Sequence, residues 1–177
     1  MSETAEHATV RLWTLEGFRE DSWRHAKEAD DLIETGDVIL PLAAFLALDA
    51  EVRRNTNHRI GVRLGPGDEI EAIADHLDGL PVVALEFPAF SDGRSFSKAE
   101  ILRRRYNYKG AIRAVGKVLP DQFSHMLRVG FSEAEISHPV LLRWIEEGKT
   151  TGLALYNQPS AREDSKTGKY SWRRLPV

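Results

Sequence analysis

The chain has 177 residues, with 24 Lys and Arg against 27 Asp and Glu, a formal charge of -3, and 42% hydrophobic residues. That composition describes a soluble globular protein long enough for one sizeable core, and two full domains would be a squeeze. Cysteine is absent, which excludes disulfides, thiolate metal sites, cysteine-ligated iron-sulfur clusters and thiol catalysis.

The opening MSETAEHATV has neither a basic nor an apolar signal region. No run approaches the ~18 apolar residues of a membrane span, so a cytoplasmic address away from the membrane is expected. Residues 8–14 alternate in a strand-like way, whereas residues 19–34 are too polar for a buried element. Residues 1–36 are therefore expected to form an extension holding one possible strand, ahead of an α/β domain over 37–156. After Pro41 the run LAAFLALDAEVRRN predicts a short helix whose apolar face includes Leu42, Phe45, Leu46 and Ala50.

From His58 onward, short apolar runs at 59–64, 81–86, 111–115 and 131–136 predict strands. Helical patterns lie between them at about 68–78, 97–107 and 120–128, and a further helix at 138–148 precedes an apolar run at 152–156. This alternation predicts a single α/β domain of repeated βα units around a mainly parallel sheet of four or five strands, an open sheet or a partial barrel. Ser97-Lys98-Ala99-Glu100 has the spacing of a capping box, Asp68 suits a helix start, and Pro120 suits a first helical position. Gly79, Gly110, Gly130 and Gly148 each follow a helical pattern, where a left-handed residue is commonly needed. The polar tail 157–177 has no periodicity and is expected to be flexible, docking at most through Trp172.

Charge is segregated along the chain. Residues 1–51 carry 12 acids and four bases, and residues 68–93 carry seven acids and no base. Residues 94–128 reverse this with nine bases against two acids. Such a stretch is either a cationic surface for an anionic ligand or acidic protein face, or a solvated helix face balanced by the acidic neighbours. The overall negative charge and the few aromatics in the basic run argue against nucleic acid.

The densest group of chemically able residues is Glu86 to Ser97, between a predicted strand and a predicted helix. Ligands of open α/β sheets bind at that position. Asp92 and Gly93 permit a tight turn, Ser95 and Ser97 offer hydroxyls, Arg94 offers a planar fork, and the next helix offers free N–H groups to an anion. The same residues could equally hold the loop, with Arg94 paired to Asp92 or Glu86. A second group, Arg113 with Asp121 and Gln122, spans the next strand end and helix start. It could supply a second cation and an acid to one crevice, or simply an Arg113–Asp121 ion pair. Asp121 is the candidate catalytic residue, although an exposed carboxylate is a poor general base at neutral pH. The six histidines contain no HExxH and no i, i+4 pair, so no metal is expected. No phosphate loop or dinucleotide fingerprint is present, so no cofactor is evident.

The run FPAFSDGRSFSKAEILRRR, followed by Gly110, IRAVG, Asp121-Gln122 and Arg128-x-Gly130-Phe131, resembles a bacterial domain-of-unknown-function family labelled as an oxidoreductase involved in sulfite reduction. The resemblance covers roughly residues 35–136, and its specific words lie in 87–131. The family pattern reads F-P-x-F-x-D-G-R-x-x-S, then L-R, G-E-L-R-A-x-G, D-Q and R-C-G-F. The chain departs from it at Ala111, where Glu is usual, and at Val129, where Cys is frequent. The resemblance implies a cytoplasmic role beside assimilatory sulfite reductase, on the path from sulfate to cysteine. Without cysteine, electron transfer by the chain itself would need a bound flavin or an outside cofactor, and no flavin motif is visible. The preferred expectation is an accessory protein. Its basic surface, with Arg94, Arg103, Arg113 and Arg128, would engage the reductase or its electron donor, or its loop, with Asp92, Gly93, Ser95, Ser97 and Gln122, would hold an oxyanion such as sulfite. The alternative is a small-molecule enzyme acting on an anionic phosphate, sulfate or carboxylate substrate.

Overall fold

In the computed structural model, which describes residues 10–27, 36–49, 51 and 59–149, the longest apolar runs become strands buried on both faces. These are β4 (Asp37–Pro41), β5 (Ile60–Leu64), β6 (Val82–Phe87), β7 (Ala111–Gly116) and β8 (Glu133–Ile136), which lie side by side and parallel. Burial on both faces is why β4 to β7 are nearly continuous apolar words; β8, Glu-Ala-Glu-Ile, is the exception and alternates, with Ala134 and Ile136 buried and both glutamates partly exposed.

Three more strands come from the polar beginning of the chain: β1 (Arg11–Thr14), β2 (Gly17–Arg19) and β3 (Trp23–His25). The sheet order is β2-β1-β8-β7-β6-β5-β4-β3, with β3 parallel to β4 and β1 antiparallel to both β2 and β8. The expected four or five strands, mainly parallel, are thus corrected to an eight-stranded mixed sheet curled into a half-barrel. The expectation failed because β2 and β3 have three residues each, too few to show a period of two, and because β1 lies in the expected extension and β4 is not among the strands expected.

Helices cover the outer face. They are α1 (Leu42–Ala47), a 3₁₀ helix (Ile70–Gly79), α2 (Arg94–Arg104), α3 (Pro120–Val129) and α4 (Pro139–Glu146). Val62, Leu64, Val83, Leu85, Ile112 and Ala114 of the sheet pack there against Phe45, Ile73, Leu102, Phe123, Met126 and Leu141. The opposite side chains of the same strands form a small inner cluster of Ile39, Val82, Ala84 and Val115, flanked by Trp23 and Ala111. The apolar run at 152–156 and the tail 157–177 lie outside the described residues.

Local signals fared unevenly. Pro120 does open α3, and Gly130 ends it at φ 109°. The capping box does not form: α2 starts at Arg94, after Gly93, and Ser97 is an exposed residue within its first turns. Asp68 does not cap the 3₁₀ helix, because its carboxylate accepts the Gly65 N–H at 2.7 Å and closes the preceding turn.

Candidate functional site

The word FPAFSDGR forms the turn between β6 and α2. Phe87 is buried, its ring 5.0 Å from Phe96 and 5.7 Å from Phe131, while Phe90 at the tip is 63% exposed. Asp92 N–H donates to the Ala89 carbonyl at 3.2 Å. The Asp92 carboxylate then accepts Arg94 Nε at 3.0 Å and Nη2 at 2.6 Å. These bonds from Arg94 hold the Asp92 carboxyl below the ordinary range. The Ser95 hydroxyl, buried, donates to the Glu86 carbonyl at 2.6 Å, and Gln122 Nε2 donates to the Phe90 carbonyl at 3.2 Å. Beneath the turn, buried Lys98 donates Nζ to the Gly65 and Pro66 carbonyls, and burial pushes its pKa down.

The word L-R, with Gly110 and Gly130, is a second construction. Arg103 reaches out of α2 and donates Nε to the Gly130 carbonyl at 3.0 Å, and Nη1 to the carbonyls of Tyr108 at 2.7 Å and Gly110 at 2.9 Å. One side chain therefore ties the end of α2, the loop before β7 and the end of α3. Tyr108 supports the loop by donating its hydroxyl to the Leu80 carbonyl at 2.8 Å, and burial raises that phenol's pKa. Glycine is required at Gly130 twice over, since φ is positive and a Cβ would stand 2.5 Å from Arg103 Cγ.

The third construction lies on the inner face, where sequence reasoning saw one of its five residues. Arg113 in the middle of β7 is 1% exposed in its side chain. Its Nε donates to Glu133 at 2.7 Å, and its Nη1 donates to Asp21 at 2.8 Å and to Glu135 at 3.2 Å. Burial disfavours the charged guanidinium, but the surrounding Glu133 and Asp21 outweigh it and hold the pKa up. His25 of β3 meets Glu135 across the half-barrel at 2.7 Å. Burial raises the Glu135 carboxyl, but the hydrogen bond and charge of His25, with Arg113, bring it below its ordinary value. The alternation in Glu133-Ala134-Glu135-Ile136 could have revealed the two glutamates, whose polar side chains share one face. Nothing local marks Asp21 or His25.

The candidate residues therefore separate into three places. Asp92, Gly93, Arg94, Ser95, Ser97, Asp121 and Gln122 gather at the carboxyl end of the parallel strands, where α2 and α3 begin. Arg103 and Arg128 stand at the opposite end, in the last turns of those helices. Arg113 lies between, and the expected Arg113–Asp121 pair is replaced by the three inner carboxylates, because Asp121 is an exposed residue of α3. The basic stretch divides in the same way. Lys98, Arg103 and Arg113 are turned inward on carbonyls or carboxylates, Arg94 and Lys117 stay exposed at the carboxyl end of the strands, and Arg104, Arg105, Lys109 and Arg128 lie at the amino end. There Arg104 pairs with Glu100 and Arg105 with Glu71, their side chains 55% and 66% exposed.

Among the described residues no group of His, Asp and Glu is arranged to hold a metal ion, and no helix is long and apolar enough to cross a membrane. No curated protein matches the chain. Residues 61–166 match the family model described as "Bacterial protein of unknown function (DUF934)". The match begins in β5, so it takes in the turn at Asp92, the Arg103 tie and Arg113, but not Asp21 or His25. As it spans more than half of the chain, the chain belongs to this bacterial family of unknown function.

Proposed function

We propose that the chain is a cytoplasmic accessory protein of assimilatory sulfite reduction, and that it binds the reductase or the reductase's electron donor. The sulfite setting rests on the resemblance carried by the words in 87–131. The contact is the end where α2 and α3 terminate. The observation that carries this reading is the fate of the arginines. Arg103 is turned inward on carbonyls and Arg113 on inner carboxylates, while Arg94 pairs with Asp92 at the carboxyl end of the strands. Arg104, Arg105 and Lys109 are exposed together at the amino end of the strands, where Arg128 is half-buried. An exposed set of that kind steers an acidic protein face and sets its register.

The reading is tested by affinity purification of the tagged chain from cells growing on sulfate, beside the variant Arg104→Glu/Arg105→Glu/Lys109→Glu. Sulfite reductase or its electron donor should co-purify with the unmodified chain. The triple variant, folded by circular dichroism, should lose at least about tenfold of it. Equal recovery by both proteins overturns the basic contact, and recovery of neither enzyme overturns the sulfite setting. The second outcome would favour the small-molecule enzyme, whose anionic substrate would meet α2 at a first turn without acidic residues.

A further inference from the structure

The inner face holds an unfilled valence. Arg113 presents five N–H donors, and its Nε and Nη1 are taken by Glu133, Asp21 and Glu135. Its Nη2 is shut off from solvent and has no hydrogen-bond partner among the described residues. A buried donor left unmade is costly, and natural structures rarely keep one without a reason.

We propose that the Nη1/Nη2 edge of Arg113 is a binding site for a small oxyanion, and that Asp21 occupies it as an internal stand-in. Planarity of the guanidinium places Nη2 beside Nη1, so the two form the edge that takes two oxygens of a carboxylate or tetrahedral oxyanion at once. Asp21 accepts from Nη1 alone, through one oxygen at 2.8 Å, while its other oxygen takes the Trp23 N–H at 3.0 Å and Nη2 is left unmade. An arriving oxyanion displaces this single bond and makes two.

The exchange conserves charge, which is what makes it feasible inside a ring of carboxylates. Glu133 and Glu135 stay on the guanidinium, one anion leaves and one anion arrives. An anion added without such a departure would face three carboxylates and one cation. Asp21 has somewhere to go, because its side chain is 27% exposed whereas that of Arg113 is 1% exposed. It is also the covering residue, since it lies before β3, a strand of three residues whose main chain pairs with β4 alone.

The cover is held by the short ladder of β3 to β4 and by side chains. His25 meets Glu135 at 2.7 Å, and the Ser22 hydroxyl donates to Asp37, which also takes the Arg59 fork. The segment 21–25 thus behaves as a strap over Arg113. Such a strap lowers the apparent affinity for the oxyanion by the fraction of time it is closed. This inference is independent of the basic end, which shares none of these residues.

The test uses sulfate, phosphate and acetate as probes in isothermal titration calorimetry of the full chain. Removing the stand-in with Asp21→Ala should tighten binding of at least one of these anions by about tenfold or more. Adding Arg113→Lys to that variant keeps the charge and removes the Nη1/Nη2 edge, and the gain should vanish while circular dichroism remains native. In the unmodified chain, saturating anion should speed hydrogen exchange at the Ala26 amide, which bonds the Ile39 carbonyl beside the strap. Equal affinity of Asp21→Ala and the unmodified chain for all three probes would overturn the site. So would an undiminished gain in the Arg113→Lys double variant.

Discussion

Replacing Arg113 by Met tests whether the inner charge cluster holds the half-barrel together. The substitution keeps an unbranched chain of similar reach and removes the cation that three carboxylates share. Their side chains are 27%, 19% and 13% exposed, so they retain some contact with water and the loss belongs near the low end of the range for a broken buried pair. That sets it at about 3 kcal/mol, or a fall in Tm of roughly 6–12 °C for a chain of this size. The pH dependence gives a second signature. In the unmodified chain the Glu135 carboxyl, although burial raises it, lies below its ordinary value. It therefore contributes stability that is present above the ordinary carboxylate range and is lost as pH falls through the depressed value. In Arg113→Met the Glu135 carboxyl loses that cation and its pKa rises, so acidification to about pH 5 relieves the variant while the parent, whose Glu135 titrates lower, is little changed. Urea unfolding of both proteins at about pH 7.5 and about pH 5 should show the deficit shrinking at the lower pH. A deficit under about 1 kcal/mol at neutral pH, or one of equal size at both pH values, would refute the reasoning.

Gly130→Ala combines a positive φ with a Cβ only 2.5 Å from Arg103 Cγ, so it should cost about 2–3 kcal/mol in thermal or urea unfolding. Gly79→Ala, where a Cβ meets nothing and φ is not positive, is the control and should change stability by no more than about 1 kcal/mol; similar effects at the two sites would mean that Arg103 is not fixed there. For the bridge across the half-barrel, a double-mutant cycle of His25→Ala and Glu135→Gln at neutral pH should give a coupling of about 0.5–1.5 kcal/mol. Additive single effects would show that β3 and β8 do not communicate through that pair.

The half of the chain that could be read in advance owes its legibility to double-sided burial. Val82 to Leu85 and Ile112 to Val115 face the helix layer and the inner cluster alternately, and each sits in an apolar word bounded by glycine or proline. β3 offers no such word: Trp23, Arg24 and His25 form a strand only because Val38 and Ile39 of β4 lie beside them. The capping box misled because Asp92 supplies a nearer start. Its carboxylate takes the Arg94 N–H and fork, and the buried positions Ser95, Lys98, Ala99 and Leu102 then set the phase of α2. The arginines show why a list of capable residues is weaker than a fold. Read by proximity along the chain, Arg113 belongs with Asp121 and Arg103 with its basic neighbours. Strand register instead puts Arg113 opposite Glu133, and the curl of the sheet brings Asp21 from 92 residues away. A pairing of that span leaves no periodic trace, because curvature is a property of the whole sheet. The residues so joined nevertheless make the most specific chemical arrangement among the described residues: one sealed guanidinium, three carboxylates, a histidine at the rim and a donor still without a partner.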